Sequence, residues 1–280
     1  MKKKERPPVA LITGSSSGIG FYTALSLARS HFHVIATMRE PDRGRALTEE
    51  AKSLGLLERL EVKALDVRDE ERIRSVVDGT AEEHGQIDIL VNNAGYAVFG
   101  PVEETPLTSW RDLFETNLFG TVSMVQAVLP HMRKRRMGKI INISSGAGLI
   151  GFPHIGAYSA TKFAMEGYSE SLRLELLSFN IFVSLVEPGF YRTGIAKRRV
   201  VHRKDDSPYR SMLYPYQSYL DRLEAKAGDP RNVAETIRRI ARSSRPRLRY
   251  ALGRNVKTLA GLKRLPWGWV EAGIRSLIKK

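Results

Sequence analysis

The sequence lacks cysteine and lacks any long apolar run. Without cysteine, the chain can form no disulfide, no thiolate nucleophile and no cysteine-ligated metal site. No stretch approaches the roughly twenty apolar residues of a membrane-spanning helix. The start, MKKKERPPVALITG, has only about five apolar residues before a glycine, too few for the apolar core of a signal peptide. These absences predict a cytoplasmic protein.

Acidic residues are scarce in the last third of the chain. The net charge is +15, because residues 1–196 contain 23 Lys+Arg and 23 Asp+Glu, whereas residues 197–280 contain 22 and 7. A basic excess of this kind can indicate nucleic-acid binding, but aromatic residues hardly interleave with the basic run RRIARSSRPRLRY and no recognition motif is present. We therefore expect no nucleic-acid partner and interpret the charge as a C-terminal addition to an electrically ordinary body.

What the sequence does contain is a repeated alternation of short apolar runs and longer helical segments. At 280 residues and 42% hydrophobic content, the chain can bury a sizeable core. The apolar runs predict seven strands, at 9–13, 33–37, 60–65, 87–91, 139–144, 182–187 and 249–252. The helical segments are 19–30, 69–84, 109–134, 157–179 and 230–242. This alternation predicts an α/β fold with a doubly wound parallel sheet, whose ligands bind beyond the carboxyl ends of the strands.

A glycine-rich turn, TGSSSGIG at residues 13–20, follows the first strand and opens a helix. Gly14 allows a tight turn, Gly18 lets the backbone approach a phosphate, and Gly20 lets the helix pack closely against the strand. The spacing differs from G-x-G-x-x-G, so an ordinary strand-to-helix turn is the alternative. The strand and helix context favours phosphate binding.

Polar or glycine-rich residues also follow the other strands. Arg39 comes after the second strand without a preceding acid, which suits the 2′-phosphate of NADP; a solvated loop arginine is the alternative, and Glu40 weakens the signal. Asp66 follows the third strand and either contacts adenine or caps the next helix. NNAG, ISSGAG and EPGFYRT follow the fourth, fifth and sixth strands.

Tyr158 and Lys162, in AYSATKFAM, stand four positions apart and therefore share one face of a helix. A neighbouring ammonium group stabilises the phenolate and lowers the phenol's pKa, so the pair could transfer a proton at neutral pH. Tyrosine and lysine also meet at this spacing by chance in many helices. The interpretation therefore depends on the rest of the chain.

Over about residues 8–255 the sequence resembles the short-chain dehydrogenase/reductase family. The segments TGSSSGIG, NNAG, ETNLFGT, a serine thirteen residues before YSATK, and PGFYRT stand in the family's order. VIATMRE and NNAGYAVFGPVEE look most like the branch that includes hydroxysteroid and retinol dehydrogenases. The resemblance implies a single Rossmann-type domain of about seven strands at 8–255, with a flexible tail at 1–7, a substrate lid at about 190–228 and a basic extension at 256–280.

The resemblance also implies roles for particular residues. Tyr158 would exchange a proton with the substrate oxygen, and Lys162 would lower the pKa of Tyr158 and hold the nicotinamide ribose. Ser145 would orient the substrate oxygen, with Ser144 pointing to the other side, and Asn117 would support a water relay to the lysine. The implied cofactor site comprises Gly14, Ser17, Gly18, Ile19 and Gly20 at the pyrophosphate, Asp66 and Val67 at adenine, Asn93, Ala94 and Gly95 in the middle, and Pro188, Gly189 and Thr193 at the carboxamide.

The expected function is hydride transfer between a nicotinamide cofactor and a carbonyl or secondary alcohol of an apolar, steroid-, retinoid- or lipid-like molecule. Arg39 favours NADP(H), but Ser17 occupies a second position that is frequently basic, so NAD(H) stays possible; no metal is expected. The alternative is a non-catalytic regulatory protein that senses the dinucleotide, against which the presence of both Tyr158 and Lys162 argues. A homodimer or homotetramer is expected.

Two segments leave alternatives open. SPYRSMLYPYQSY at 207–219 is rich in tyrosine, and it forms either the wall of an apolar pocket or a cover for the core or an oligomer interface. In the C-terminal tail, one helical face carries Val270, Ile274, Leu277 and Ile278, and Trp267 and Trp269 stand at its start. Such a helix either lies peripherally on an anionic membrane surface or docks on its own domain or a partner subunit.

Overall fold

A computed structural model describes residues 6–194, 199–262 and 266–278. Within them, seven parallel strands form one sheet in the order β3-β2-β1-β4-β6-β7-β9, and β5 pairs with β8 separately. The strands are β1 (Val9–Ile12), β2 (His33–Met38), β3 (Leu60–Ala64), β4 (Ile89–Asn92), β5 (Val98–Phe99), β6 (Gly138–Ile143), β7 (Ile181–Pro188), β8 (Val200–Val201) and β9 (Arg249–Leu252). The predicted fold class is confirmed.

Helices cover both faces of this sheet. They are α1 (Gly18–Arg29), α2 (Arg45–Ser53), α3 (Glu70–His84), α4 (Leu107–Phe114), α5 (Gly120–Arg135), α6 (Gly156–Leu176), α7 (Arg210–Ala225), α8 (Arg231–Arg242), α9 (Arg254–Leu262) and α10 (Trp267–Ile278). Across the described part of the chain, none of these helices combines the length and apolarity that crossing a membrane would need.

The core has two halves because successive strand residues point to opposite faces of the sheet. In β1, Ala10 and Ile12 pack with α1, α2 and α8, whereas Val9 and Leu11 pack with α3, α5 and α6. All four residues are almost fully buried. A strand buried on both faces shows a continuous apolar run rather than an alternating one, as this sequence does.

The strand order reverses at β1, which pairs with β2 on one side and with β4 on the other. In a doubly wound sheet, the crevice for a ligand opens at this point, beyond the carboxyl ends of the strands. The glycine-rich turn after β1, the NNAG segment after β4 and the serines after β6 all lie at that end of the sheet. The fold therefore gathers these predicted site segments along one edge.

Several predicted boundaries need correction. The expected helix 109–134 is interrupted by a π-helical turn at Glu115–Phe119, which separates α4 from α5. Helices α2 and α7 were not predicted. The expected domain boundary between 255 and 256 stays a prediction, and α9 spans it with Val256 almost fully buried. Residues 1–5, in the expected tail, and 195–198, in the expected lid, lie outside the described residues.

Candidate active site

The glycine-rich turn is held tightly against the loop that follows β4. Gly14 has φ +69°, and a Cβ there would lie 2.8 Å from the Cα of Ala94. A Cβ on Gly20 would lie 2.5 Å from the carbonyl oxygen of Gly14. The Asn93 side chain donates hydrogen bonds of 2.9 Å to the carbonyl oxygens of both Thr13 and Gly14. Asn93 therefore supports the turn from behind and leaves its outer surface to a ligand.

The N-terminus of α1 lies at the exposed side of this turn. The helix starts at Gly18, after Ser17 in extended conformation, and Ile19 packs against the core. A Cβ on Gly18, whose φ is +61°, would lie 3.1 Å from Cβ of Thr193. Backbone N–H groups at a helix N-terminus, beside a turn without side chains, form a cradle for a diphosphate. These residues fit the pyrophosphate of a dinucleotide.

The residues expected at the adenosine end lie after β2 and β3. Arg39 is exposed, and its neighbour Glu40 accepts a 3.0 Å hydrogen bond from Nε of Arg43. Asp66 accepts hydrogen bonds from Arg68, which lower the pKa of Asp66, and the charge of Arg39 lowers it further. The acid next to Arg39 is thus already paired, and Asp66 is ionised.

The structure also answers whether Asp66 caps the helix that follows β3. The N-cap of α3 is Asp69, whose carboxylate accepts a 2.9 Å hydrogen bond from the backbone N–H of Arg72. Asp66 therefore does not cap the helix. Val67 is buried, and a Cβ placed on Gly120 would lie 2.7 Å from its side chain, so Val67 packs against the start of α5.

Tyr158 and Lys162 lie on α6, beside the carboxyl end of β6. Lys162 is buried, and its Nζ donates a 2.8 Å hydrogen bond to the carbonyl oxygen of Ile143. The same Nζ lies 5.8 Å from the centre of the Tyr158 ring. Burial lowers the pKa of Lys162 to about 8, against an opposing effect of the Glu166 carboxylate. The structure therefore brings the phenol and the ammonium group together at the end of the sheet.

Ser145 faces the same phenol. Burial raises the pKa of Tyr158, and a hydrogen bond with the Ser145 side chain opposes that rise. The Ser145 hydroxyl also accepts a 3.1 Å hydrogen bond from the backbone N–H of Ala147. The Ser144 hydroxyl is buried on another side, 2.9 Å from where a Cβ of Gly148 would lie. Of the two serines, Ser145 is the one that contacts Tyr158.

Asn117, in the π-helical turn, connects the loop after β4 with α6. Its side chain donates to the carbonyl oxygen of Tyr96 (3.0 Å) and accepts from the N–H of Tyr96 (3.1 Å). It also donates to the Thr161 hydroxyl (3.2 Å), which in turn donates to the carbonyl oxygen of Tyr158 (2.8 Å). Gly95 must lack a side chain here, because a Cβ would lie 2.9 Å from Oδ1 of Asn117. Asn117 therefore holds the two walls of the site together.

The residues expected at the carboxamide follow β7. Pro188 ends the strand, and the N–H of Gly189 donates a 2.9 Å hydrogen bond to the carbonyl oxygen of Leu252. The N–H of Thr193 donates to the carbonyl oxygen of Tyr191 (2.7 Å). Residues 190–192 are further attached to Gly228 by backbone hydrogen bonds. This attachment places Thr193 against Gly18, across the mouth of the crevice.

A buried chain of hydrogen-bonded polar side chains supports α6, and no local sequence pattern predicts it. Asn92 of β4 donates to Oδ1 of Asn142 in β6, and Asn142 donates to the hydroxyl of Ser169 in α6, both at 2.9 Å. Glu166 was also missed, although it stands four residues after Lys162, a spacing that indicates contact. It forms an ion pair with Arg249, to which Glu187 also binds.

Helix α7, in the segment expected to form the substrate lid, and helix α10, in the C-terminal tail, lie next to each other. In α7, Tyr216 is buried with its ring 5.5 Å from that of His154, while Met212 is exposed. Helix α10 packs against α7 with Val270 buried, and Trp267 and Trp269 are exposed. Within the tail's predicted apolar face, the side chains of Ile274, Leu277 and Ile278 lie outside the described part of the structure.

The chain matches the family model of the short chain dehydrogenases over residues 8–204. Among curated proteins, "Uncharacterized oxidoreductase YusZ" of Bacillus subtilis is 41% identical over 97% of both chains. "Retinol dehydrogenase 8" of Homo sapiens is 39% identical over 92% of this chain and 85% of its own. The chain therefore belongs to the short-chain dehydrogenase/reductase family. The prediction of an enzyme, an oxidoreductase that acts on CH–OH groups with NAD(P), is confirmed.

Solved structures agree with this assignment. A short-chain dehydrogenase from Streptomyces avermitilis superposes with a TM-score of 0.81 at 34% identity, covering 99% of this chain and 97% of its own. A structure described as "ElxO with NADP Bound" has a TM-score of 0.73 at 28% identity, covering 88% of this chain and 97% of its own. The neighbours thus support the use of a nicotinamide cofactor.

Proposed function

We propose that this enzyme uses NADPH to reduce the carbonyl group of an apolar, steroid-, retinoid- or lipid-like molecule, or catalyses the reverse oxidation with NADP⁺. The observation that carries the proposal is the convergence of Ser145, Tyr158 and Lys162 at the carboxyl end of β6. A hydroxyl, a phenol and an ammonium group at one point can bind a carbonyl oxygen and supply its proton.

Each of these side chains has a distinct task. When bound, the nicotinamide supplies the hydride that reaches the carbonyl carbon. The Tyr158 hydroxyl donates its proton to the carbonyl oxygen, and the Ser145 hydroxyl holds that oxygen in place. The Lys162 ammonium stabilises the phenolate that remains, because its positive charge lies next to the ring. In oxidation, the phenolate accepts the proton of the substrate hydroxyl.

The preference for NADP(H) rests on the end of β2. Arg39 is exposed there, and Glu40, the adjacent acid, is bound to Arg43. Asp66 lies near enough for its charge to interact with that of Arg39, and an exposed arginine at this strand end suits a 2′-phosphate. We expect Arg39→Ala to raise the KM for NADPH by more than about tenfold, in line with the loss of a charge-assisted hydrogen bond, and to change the KM for NADH little.

Arg74→Ala is the matched control, since Arg74 is an exposed arginine of α3 paired with Glu70. It should leave both KM values unchanged. An equal change of the two KM values in Arg39→Ala would contradict the NADPH preference.

The apolar substrate is inferred from the lid and from the relatives. Phe190 and Met212 are exposed in or near the lid, at 42% and 36%, and one relative is named as a retinol dehydrogenase. Aromatic and methionine side chains suit an adaptable apolar pocket. NADPH oxidation should be screened with ketosteroids, retinal, aliphatic ketones and 3-oxoacyl compounds, with Tyr158→Phe as the blank. Turnover restricted to small hydrophilic ketones would contradict this substrate class.

Weak attachment of the protein to a membrane surface would bring the enzyme close to an apolar substrate. Trp267 and Trp269, at the start of α10, are 61% and 72% exposed, and the last third of the chain carries the entire net charge. Exposed tryptophans beside basic residues favour the interface of an anionic bilayer. We expect the protein to pellet with phosphatidylserine vesicles at low salt, and the double variant Trp267→Ser, Trp269→Ser to pellet less. No pelleting of the unaltered protein would contradict this attachment.

A further inference from the structure

Two histidines and a glutamate meet at the end of the sheet opposite the candidate active site. His33 starts β2, Glu61 is the second residue of β3, and His84 ends α3. Nε2 of His33 lies 2.5 Å from Oε1 of Glu61, and Nε2 of His84 lies 3.2 Å from the same oxygen. The three ligand atoms all lie within 4.8 Å of one another. Three separate elements therefore direct metal-ligating atoms to one point.

The surroundings of these atoms are partly closed to solvent. The side chains of His33, His84 and Glu61 are 15%, 17% and 29% exposed. Nε2 of His84 is buried, and although it lies 3.2 Å from Oε1 of Glu61 it makes no hydrogen bond within the described part of the chain. A cavity of about 180 Å³ lies beside it, lined also by Arg6 and Glu83. A buried imidazole nitrogen that makes no hydrogen bond is costly, and a bound cation would satisfy it.

We propose that Nε2 of His33, Oε1 of Glu61 and Nε2 of His84 bind a Zn²⁺ ion. Two imidazole nitrogens and one carboxylate oxygen are ligands that zinc prefers. With Zn–N distances of about 2.0–2.1 Å, tetrahedral geometry separates two ligand atoms by about 3.3 Å. The observed distance of 3.2 Å between His84 and Glu61 fits this value, and His33 has to withdraw by less than about 1 Å. The fourth ligand is a water molecule from the cavity or the Glu83 carboxylate.

The charges around the cluster are compatible with a bound cation. The Glu61 carboxylate contacts His33 and His84 through Oε1. Lys63 contacts the other oxygen, Oε2, at 3.3 Å, which leaves Oε1 to the metal and fixes the carboxylate's orientation. Glu83, 3.2 Å from Lys63, offsets the charge of that lysine.

The position of the site defines its role. A metal ion there would join the amino ends of β2 and β3 to the end of α3, and β3 is an edge strand of the sheet. The hydride-transfer site lies beyond the opposite, carboxyl ends of the strands. The zinc is therefore structural: it stabilises the folded chain and takes no part in the reaction. A bound zinc ion differs from the expectation that the protein uses no metal. The zinc site does not depend on the proposed substrate.

The test uses the full-length, untagged protein, freed of metal with a chelator. Equilibrium dialysis against Zn²⁺ measures stoichiometry and affinity, and calorimetry measures Tm with and without Zn²⁺. We expect one saturable zinc per chain, a higher Tm with zinc and an unchanged kcat. His84→Gln and, separately, Glu61→Gln should weaken zinc binding by more than about tenfold, since even outer residues of metal sites contribute that much, and should remove the rise in Tm.

His131→Gln is the matched control, because His131 pairs with Asp78 at 2.9 Å on the outer surface and should not affect zinc binding. Far-UV circular dichroism without metal verifies that each variant is folded, and Glu61→Gln takes the place of His84→Gln should the latter not fold. The proposal is overturned if the unaltered protein retains no zinc, or if a folded His84→Gln or Glu61→Gln variant binds zinc as tightly as the unaltered protein.

Discussion

Among single side chains, Lys162 matters most for the proposed mechanism. Lys162 is only 6% exposed, and its ammonium group donates a hydrogen bond to the carbonyl oxygen of Ile143. Burying an ammonium group is costly, which is why the pKa falls to about 8. In the proposed mechanism this charge stabilises the phenolate of Tyr158, and the loss of stability at this position serves the reaction.

The free-energy cost of burying the Lys162 ammonium group depends on pH. Below pH 8 the ammonium is charged in both the folded and the unfolded chain, so burial lowers the free energy of unfolding in full, by on the order of 3 kcal/mol. Between about pH 8 and 10.5 the folded chain has released the proton and the unfolded chain still holds it, so the cost declines as pH rises. Any substitution that removes the charge should change this dependence.

We therefore expect the stability of Lys162→Met, relative to the unaltered protein, to be greatest at pH 7 and to fall by up to about 3 kcal/mol at pH 10. Urea unfolding of both proteins at several pH values gives the difference, in which the titration of all other groups cancels. A difference that stays constant from pH 7 to pH 10 would show that Lys162 is not buried in its charged form.

At the level of elements, the glycine-rich turn is the proposed cradle for the dinucleotide. Gly20 of α1 has no room for a Cβ, which would lie 2.5 Å from both the Gly14 carbonyl oxygen and the Asn93 side chain. Gly20→Ala should therefore lower the free energy of unfolding by about 1–3 kcal/mol, as overpacking does. It should also weaken NADPH binding, measured by fluorescence titration, because the cradle shifts.

Gly79 in α3 provides the matched control. A Cβ there would meet nothing within 4 Å, and the glycine stands in the interior of a helix. Gly79→Ala should stabilise the protein by about 0.5–1 kcal/mol and leave NADPH binding unchanged. If both variants behaved alike, the close packing of α1 against the turn would not be the reason for the glycine.

Most elements could be predicted because their signals are local. The apolar runs of the strands and the glycines after β1 are contained in short segments, and so is the spacing of Tyr158 and Lys162. The π-helical turn was not predictable, because it depends on Asn117 contacting Tyr96, 21 residues away. The chain from Asn92 through Asn142 to Ser169 depends on the register of β4 against β6.

Helix α7 was missed for a different reason. It contains Pro215, a residue that ordinarily argues against the interior of a helix. Packing decides here instead, because Tyr216 and Leu220 are buried. Tyr216 lies within residues 207–219 and Leu220 just beyond them, and the alternatives for that segment, a pocket wall or a cover for the core or an oligomer interface, stay predictions.

At the level of the whole molecule, apolar side chains remain exposed on α6 and at the π-helical turn. Leu174 is 72% exposed and Phe119 is 49% exposed, and a hollow beside Phe119 is lined by Trp110 and Phe114. Contiguous exposed apolar patches mark protein interfaces, whereas single exposed apolar side chains are ordinary. We therefore propose that a second copy of the chain covers this surface, as the expected homodimer or homotetramer requires.

Light scattering coupled to size-exclusion chromatography measures the mass directly. Leu174→Glu places a charge on this surface and should lower the mass of the assembly. Leu57→Glu, at an exposed leucine near the edge strand β3, should not lower it. A monomeric unaltered protein, or an assembly unaffected by Leu174→Glu, would contradict an interface at α6.

The proposed mechanism requires that Tyr158 transfers the proton to the substrate oxygen. The decisive experiment measures the rate of NADPH oxidation with an accepted carbonyl substrate and compares the unaltered protein with Tyr158→Phe. We expect kcat to fall by about 10²–10⁴, the usual contribution of general acid catalysis, with the Kd for NADPH nearly unchanged. A Tyr158→Phe variant that binds NADPH normally and keeps more than about a tenth of the activity would contradict it.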